Sequence, residues 1–176
     1  MKTILKNLGL IVGGCGFLYG ATYLPHFRLN FTESMPRGLY RETHEPITRG
    51  ALVMDCLPPT LAEFGKQRGY LQGGDCPGHT ISILKKVVGI GGDEIEVEEE
   101  FIAVNNEIIF NSETREFDSR GRTIPCVARG TFTLQEDEVF LLTTYSERSW
   151  DGRYTGPTKR ADILATVRPV WTEREE

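Results

Sequence analysis

Residues 80–93 read Thr80-Ile-Ser-Ile-Leu-Lys-Lys-Val-Val-Gly-Ile-Gly-Gly-Asp93. The part from Thr80 to Val88 is rich in aliphatic residues and ends on glycines, which predicts a strand. Two lysines, Lys85 and Lys86, stand side by side within it. Successive side chains on a strand face opposite ways, so one lysine must point toward the interior or a cleft. Burial there disfavours the ammonium form, lowers the lysine pKa and makes the amine a usable general base near neutral pH. The competing reading is an edge strand with two solvated lysines that block aggregation. The Gly89-Ile-Gly-Gly-Asp93 tail is not a phosphate loop, because no Lys-Ser/Thr follows and no helix opens after it.

Similar segments lie on either side. Ala51-Leu-Val-Met-Asp55 is a short apolar run between turn residues. Glu94 to Phe110 predicts strands broken by a turn at Asn105-Asn106, and Thr131–Leu134, Val139–Thr143 and Ile163–Trp171 predict more. Glu94-Ile-Glu-Val-Glu-Glu-Glu100 alternates acidic and apolar residues, as a strand with a solvated face does. Pro58-Pro-Thr60 opens a helix, Thr60 and Glu63 have capping-box spacing, and the helix is expected to reach about Tyr70 and stop at Gly73-Gly74. The fold class is mainly β, with one helix in an inserted loop. A chain of 176 residues fits one such domain plus an appendage. A net charge of -5 argues against nucleic acid as a direct partner, since phosphate binding needs a basic face.

The appendage is N-terminal. Lys2 and Lys6 precede Leu8 to Leu24, seventeen residues without a charge, and Pro25-His-Phe-Arg28 follows. A basic start and an apolar stretch are the pattern of a secretory signal or membrane anchor, and the length is at the short limit for a spanning helix. The expected organisation is a signal sequence or anchor over 1–27 and a domain over 28–176. With the lysines kept inside, that domain lies outside the cytoplasm. A core helix is the alternative, but it should carry a polar face, and this stretch offers only Thr22 and two tyrosines. Cys56 and Cys76 bracket a Pro/Gly-rich insertion. A disulfide there suits that compartment and would contribute roughly 3 kcal/mol. A metal site is the rival reading, but the ligands are not clustered: there is no Cys-x-x-Cys, and His79 near Cys76 stands alone. Cys126 has no assigned role.

Two further segments carry chemistry. Asn30-Phe-Thr-Glu-Ser-Met-Pro-Arg-Gly-Leu-Tyr40 reads as a turn around Ser34-Met-Pro36. A serine just past an anchor, however, sits where a membrane-tethered substrate arrives. Ser149-Trp-Asp-Gly-Arg-Tyr-Thr-Gly-Pro157 packs small, acidic, basic and aromatic residues into a turn-rich stretch. Asp151 and Arg153 there either lock the loop or support a catalytic group.

Taken in order, these segments resemble the conserved boxes of type I signal peptidases: Ser34-Met-Pro36 with Gly38 and Tyr40, Lys85 through Asp93, and Ser149-x-Asp151-x-Arg153-Tyr154-x-Gly156. The Pro-x-Gly-x-Tyr form and the paired cysteines are most similar to the TraF-type branch, whose members mature pilin subunits for plasmid conjugation. Gly152 stands where many relatives carry Ser. The resemblance implies a signal-peptidase-like antiparallel β fold and a serine endopeptidase on the periplasmic face of the bacterial inner membrane. Ser34 is then the nucleophile and Lys85 the base, with Lys86 the alternative base. The Ser34 N–H and the Thr32 hydroxyl meet the oxyanion, Ser149 holds the lysine ammonium, and Asp151 and Arg153 brace the loop. The implied partners are a membrane-associated pilin precursor and other proteins of the transfer apparatus, and no metal or other cofactor is required. Two alternatives stay open: a general peptidase that removes secretory leaders, and a non-catalytic membrane-anchored component of a secretion apparatus.

Overall fold

A computed structural model describes Gly20 and residues 26–173. The expected N-terminal signal or anchor therefore falls almost wholly outside the described residues. Among them, no helix is long and apolar enough to cross a membrane.

The strands are β1 (Phe27–Asn30), β2 (Gly38–Thr43), β3 (Leu52–Asp55), β4 (Ile83–Ile90), β5 (Glu94–Val97), β6 (Ile102–Val104), β7 (Glu107–Ile109), β8 (Gly130–Thr133), β9 (Glu138–Leu142), β10 (Thr158–Lys159) and β11 (Ile163–Thr172). Helix α1 (Pro59–Arg68) follows β3, and a single turn, α2 (Gly152–Thr155), precedes β10. The larger sheet runs β1-β2-β11-β3-β4-β9-β10 and the smaller β7-β6-β5-β8. Every pairing is antiparallel. The chain is mainly β, as the segment pattern predicts.

Strand β4 is central rather than an edge, because β3 and β9 pair with it on either side. The aggregation-guard reading of its lysines is thereby corrected. Both faces of β4 are covered at its start, and from Lys85 onward burial alternates: Lys85 is in, Lys86 is out, Val87 is in. The strand begins at Ile83 rather than Thr80, because Thr80 forms an isolated bridge with Gly73 and the Ile81 N–H bonds to Gln72 O. These contacts tie residues 80–81 to the insertion instead of to the sheet.

Helix α1 also differs from expectation at both ends. Pro58 occupies the N-cap and no side chain caps the helix, so Thr60 lies inside the first turn and the capping box does not form. Glu63 instead accepts a bond from Gln67 Nε2 at 3.1 Å. The helix ends at Arg68 because Gly69 takes a left-handed conformation at φ 77° and donates back into the last turn. The Asn105-Asn106 turn is present, with φ of 51° and 66°, joining β6 to β7. Strands β1, β2 and β10 lie outside the predicted strand segments, and β1 begins at Phe27, the last residue of the expected signal or anchor.

Four apolar clusters fill the interior. Ile95, Val97, Ile102, Val104, Leu134 and Phe140 join the small sheet to β9. Val53, Val87, Val139 and Leu141 fill the centre of the large sheet. Leu57, Ala62, Leu71, Ile83, Trp150 and Tyr154 seat α1 against α2. Met35, Tyr40, Leu84 and Val167 hold the β1–β2 hairpin onto the sheet. The last two clusters both contact the start of β4, and between them they position the site described next.

Candidate active site

Ser34 sits at the tip of the hairpin between β1 and β2, in a loop organised by one side chain. Asn30 Nδ2 donates to the carbonyls of Thr32, Met35 and Pro36 at 3.2, 2.9 and 3.1 Å. Its Oδ1 accepts from the Thr32 amide at 3.1 Å and the Thr32 hydroxyl at 2.7 Å. Tyr40 Oη donates to Pro36 O at 2.7 Å. Gly38 closes the loop at φ 149°, and a Cβ there would lie 2.1 Å from Trp171 O. Only glycine fits so close to β11. Met35 points inward, where its sulfur accepts from the Thr143 hydroxyl at 3.3 Å.

Lys85 reaches this loop from β4. Its Nζ lies 2.8 Å from Ser34 Oγ, and the side chain is only 2% exposed. Burial pulls its pKa down to about 8; Arg153 pulls the same way, while the carboxylates of Asp151 and Asp55 oppose. An amine with that pKa is about one-tenth neutral at pH 7, and the neutral form can accept the Ser34 proton across the existing contact. Lys86 points to the opposite, exposed face and does not approach Ser34.

The segment after β9 forms the far wall. Asp151 and Arg153 are buried and joined twice, Nε to Oδ1 at 2.9 Å and Nη2 to Oδ2 at 3.0 Å. Arg153 Nη2 also donates to Thr143 O and Ser146 O, and Asp151 caps α2 by accepting from the Arg153 amide. Both charges are therefore hydrogen-bonded, the condition for tolerating them in the interior. Ser149 lines the same cavity as Ser34 and Lys85, a space of about 240 Å³. Its buried hydroxyl makes no hydrogen bond among the described residues, so the expected Ser149 contact to the ammonium is not formed in this state. Thr32 Oγ1 lies 3.2 Å from Ser34 Oγ while bonded to Asn30.

Cys56 and Cys76 form a disulfide across 20 residues with a Cα separation of 5.6 Å, which removes them as thiolate ligands. The bridge lines a groove of about 540 Å³ that shares Thr32, Ile81 and Ser82 with the Ser34 cavity. Cys126 is a free thiol, and its sulfur contacts Arg153 O at 3.1 Å.

The signal peptidase family model, peptidase S26, matches residues 4–172. The chain belongs to the peptidase S26 family. Among the relatives of this S26 peptidase, a plasmid transfer protein TraF of Escherichia coli is 39% identical over 173 residues, covering 97% of each chain. A conjugal transfer protein TraF of Agrobacterium fabrum is 34% identical over 178 residues, again covering 97% of each. A crystal structure of a signal peptidase I from Enterococcus faecalis superposes at a TM-score of 0.43 with 15% identity, over 70% of this chain and 98% of that one.

Two residues beside Ser34 and Lys85 are not among the site residues the sequence motifs single out. Asn30 lay in the quoted motif segment, but its five bonds depend on the loop's path. Asp55 ends β3 with no exposure, and neither carboxylate oxygen has a hydrogen-bond partner among the described residues. It shares a face with Lys85, because Val53 pairs with Lys85 and Asp55 with Ile83. Burial, helped by Asp162, pushes its pKa up to about 7, against the pull of Lys85. A carboxylate closing an apolar strand, Ala51 to Asp55, was the available hint.

Proposed function

We propose that this S26 peptidase is a membrane-associated serine endopeptidase that matures a pilin-type precursor for conjugative transfer. The observation that carries the reading is the 2.8 Å approach of a buried Lys85 to Ser34 Oγ, in surroundings that pull the lysine pKa down to about 8. Ser34 attacks the scissile carbonyl as Lys85 takes its proton. The acyl-enzyme forms as Lys85 returns that proton to the leaving amine. The Ser34 N–H and the Thr32 hydroxyl receive the oxyanion, the latter by turning from Asn30. Asp151 and Arg153 brace the wall behind Lys85, and Ser149 offers its unbonded hydroxyl to the ammonium that forms during reaction. Water, or an amine of the substrate itself, then resolves the acyl-enzyme; the second route joins the chain into a circle.

Support for the substrate class comes from the relatives, whose names place them in plasmid and conjugal transfer. Support for a membrane-side location comes from the apolar N-terminal stretch and from Leu29, Phe31 and Trp171, large apolar side chains exposed at the β1–β2–β11 end of the sheet. The site then faces the periplasm, and the substrate lies along the groove as an added strand.

The test is precursor processing read by mass spectrometry in cells with and without this protein. Ser34→Ala and Lys85→Ala should each lower cleavage at least about 10³-fold with folding intact, and Lys86→Ala should stay near the wild type. Activity surviving in Ser34→Ala would exclude a catalytic serine. Efficient cutting of ordinary secretory precursors would favour the general leader peptidase.

A further inference from the structure

A second cleft opens beside the Ser34 cavity and shares Tyr70, Arg148, Ser149 and Trp150 with it. Its volume is about 360 Å³, and it holds five arginines (Arg68, Arg115, Arg120, Arg122 and Arg148) against two acidic residues, Asp118 and Glu147. The chain as a whole carries a net charge of -5, so this cationic excess is local.

Both acidic residues are already engaged. Arg122 holds Asp118 at 2.6 Å, and Arg115 pairs with Glu147. That leaves Arg68, Arg120 and Arg148 with no carboxylate among the described residues. Arg68 lies over the Phe64 ring at 4.9 Å and reaches Thr123 O at 3.4 Å. Arg148 touches the Ser119 hydroxyl at 3.3 Å. These are weak partners for guanidinium groups, whose fork geometry suits carboxylates. Tyr70 and Trp150 form an aromatic wall, their ring centroids 5.3 Å apart. A cation-rich cleft with one aromatic side fits a peptide segment that bears an anion.

Building on the peptidase reading, we propose that this cleft is a subsite for a carboxylate of the substrate chain, on one side of the bond cut at Ser34. The carboxylate is that of an acidic side chain or of the chain's own C-terminus. A peptide held at Ser34 would continue past Ser149 and Trp150 into the cleft, and the three arginines that lack a carboxylate partner would fix its register. Selection of this kind acts several residues from the scissile bond and is independent of the residue beside it.

A proteome-derived peptide library, digested by the full chain and profiled by mass spectrometry, tests this. The wild type should favour peptides with an acidic residue or a free C-terminus at a fixed spacing from the cut, by at least about tenfold, the scale of one hydrogen bond to a charged group. In Arg68→Gln/Arg120→Gln/Arg148→Gln that ratio should fall to near one. Arg120→Glu is the second variant, since Arg120 makes no side-chain bond among the described residues, and it should reduce the ratio on a protein with unchanged Tm. Matched synthetic peptides ending in acid or amide separate the C-terminal from the side-chain source. A wild type with no acidic preference, or a preference that survives both variants, overturns the proposal. So does phosphatidylglycerol-vesicle binding that depends on the three arginines while the peptide profile does not, because the cleft would then hold a lipid headgroup. Digestion by the wild type no greater than by Ser34→Ala overturns the peptidase reading itself, a different result from unselective cutting.

Discussion

At the scale of single residues, Lys85 and Asp55 set the pH behaviour. In the proposed mechanism Lys85 must lose a proton to act, so cleavage should rise as pH passes through about 8. The Asp55 carboxylate favours the ammonium form of Lys85 and holds that pKa up. Asp55→Asn removes this support, so the acid limb of kcat/KM should move to lower pH. A limb that stays fixed, or moves upward, would detach Asp55 from Lys85. The other charges facing Lys85 are Asp151 and Arg153, and Asp162 faces Asp55; all three are unchanged in this variant. The same substitution has a stability signature. The folded pKa of Asp55 is about 7 against an ordinary 3.8, so its contribution is fully present below pH 3.8 and is lost as pH rises through 7. Asp55→Asn should therefore gain Tm relative to the wild type at pH 8 compared with pH 5, as thermal denaturation at the two pH values would reveal.

At the scale of elements, the hairpin and the insertion carry separate constraints. Gly38→Ala would drive a methyl into Trp171 O. The expected cost is about 1–3 kcal/mol, together with a displaced Ser34 loop. Urea unfolding and cleavage rate should both report it, the rate falling more than lost stability alone explains. The disulfide binds the end of β3 to the insertion that carries α1. Cys56→Ala/Cys76→Ala should cost roughly 3 kcal/mol by loop entropy. It should also loosen the groove the bridge lines, which makes KM the more sensitive parameter; an unchanged Tm would mean the insertion is held by the α1 cluster alone. The element pattern also shows where sequence reasoning stops. Strands of alternating or continuous apolar residues were legible, including β5, β9 and β11. Strands β1 and β2 were not: Phe27–Asn30 is an alternation of only four residues directly after Pro25-His26, and Gly38–Thr43 has no apolar period, so both become strand by pairing with each other and, for β2, with β11. The capping box failed for a local reason of the same kind: Pro58 took the N-cap position ahead of Thr60.

At the scale of the whole molecule, the sequence determined the class of fold, the Cys56–Cys76 pairing as one of two readings and, through the family resemblance alone, the segments that would meet. Hydrophobic periodicity and ordered motifs are local properties of the chain, so they are readable without coordinates. Which of Lys85 and Lys86 faces the interior was not. Adjacent strand residues face opposite sides, and which side is interior depends on what covers each face of β4. Pairing with β3 and β9, and the hairpin laid across the start of β4, put Lys85 against Ser34 and Lys86 in solvent. The five bonds of Asn30, the burial of Asp55 on the Lys85 face and the arginine cleft beside Ser149 likewise exist only once distant segments pack. Burial and charge proximity are properties of three-dimensional neighbours, and in this chain the tertiary structure alone decided them.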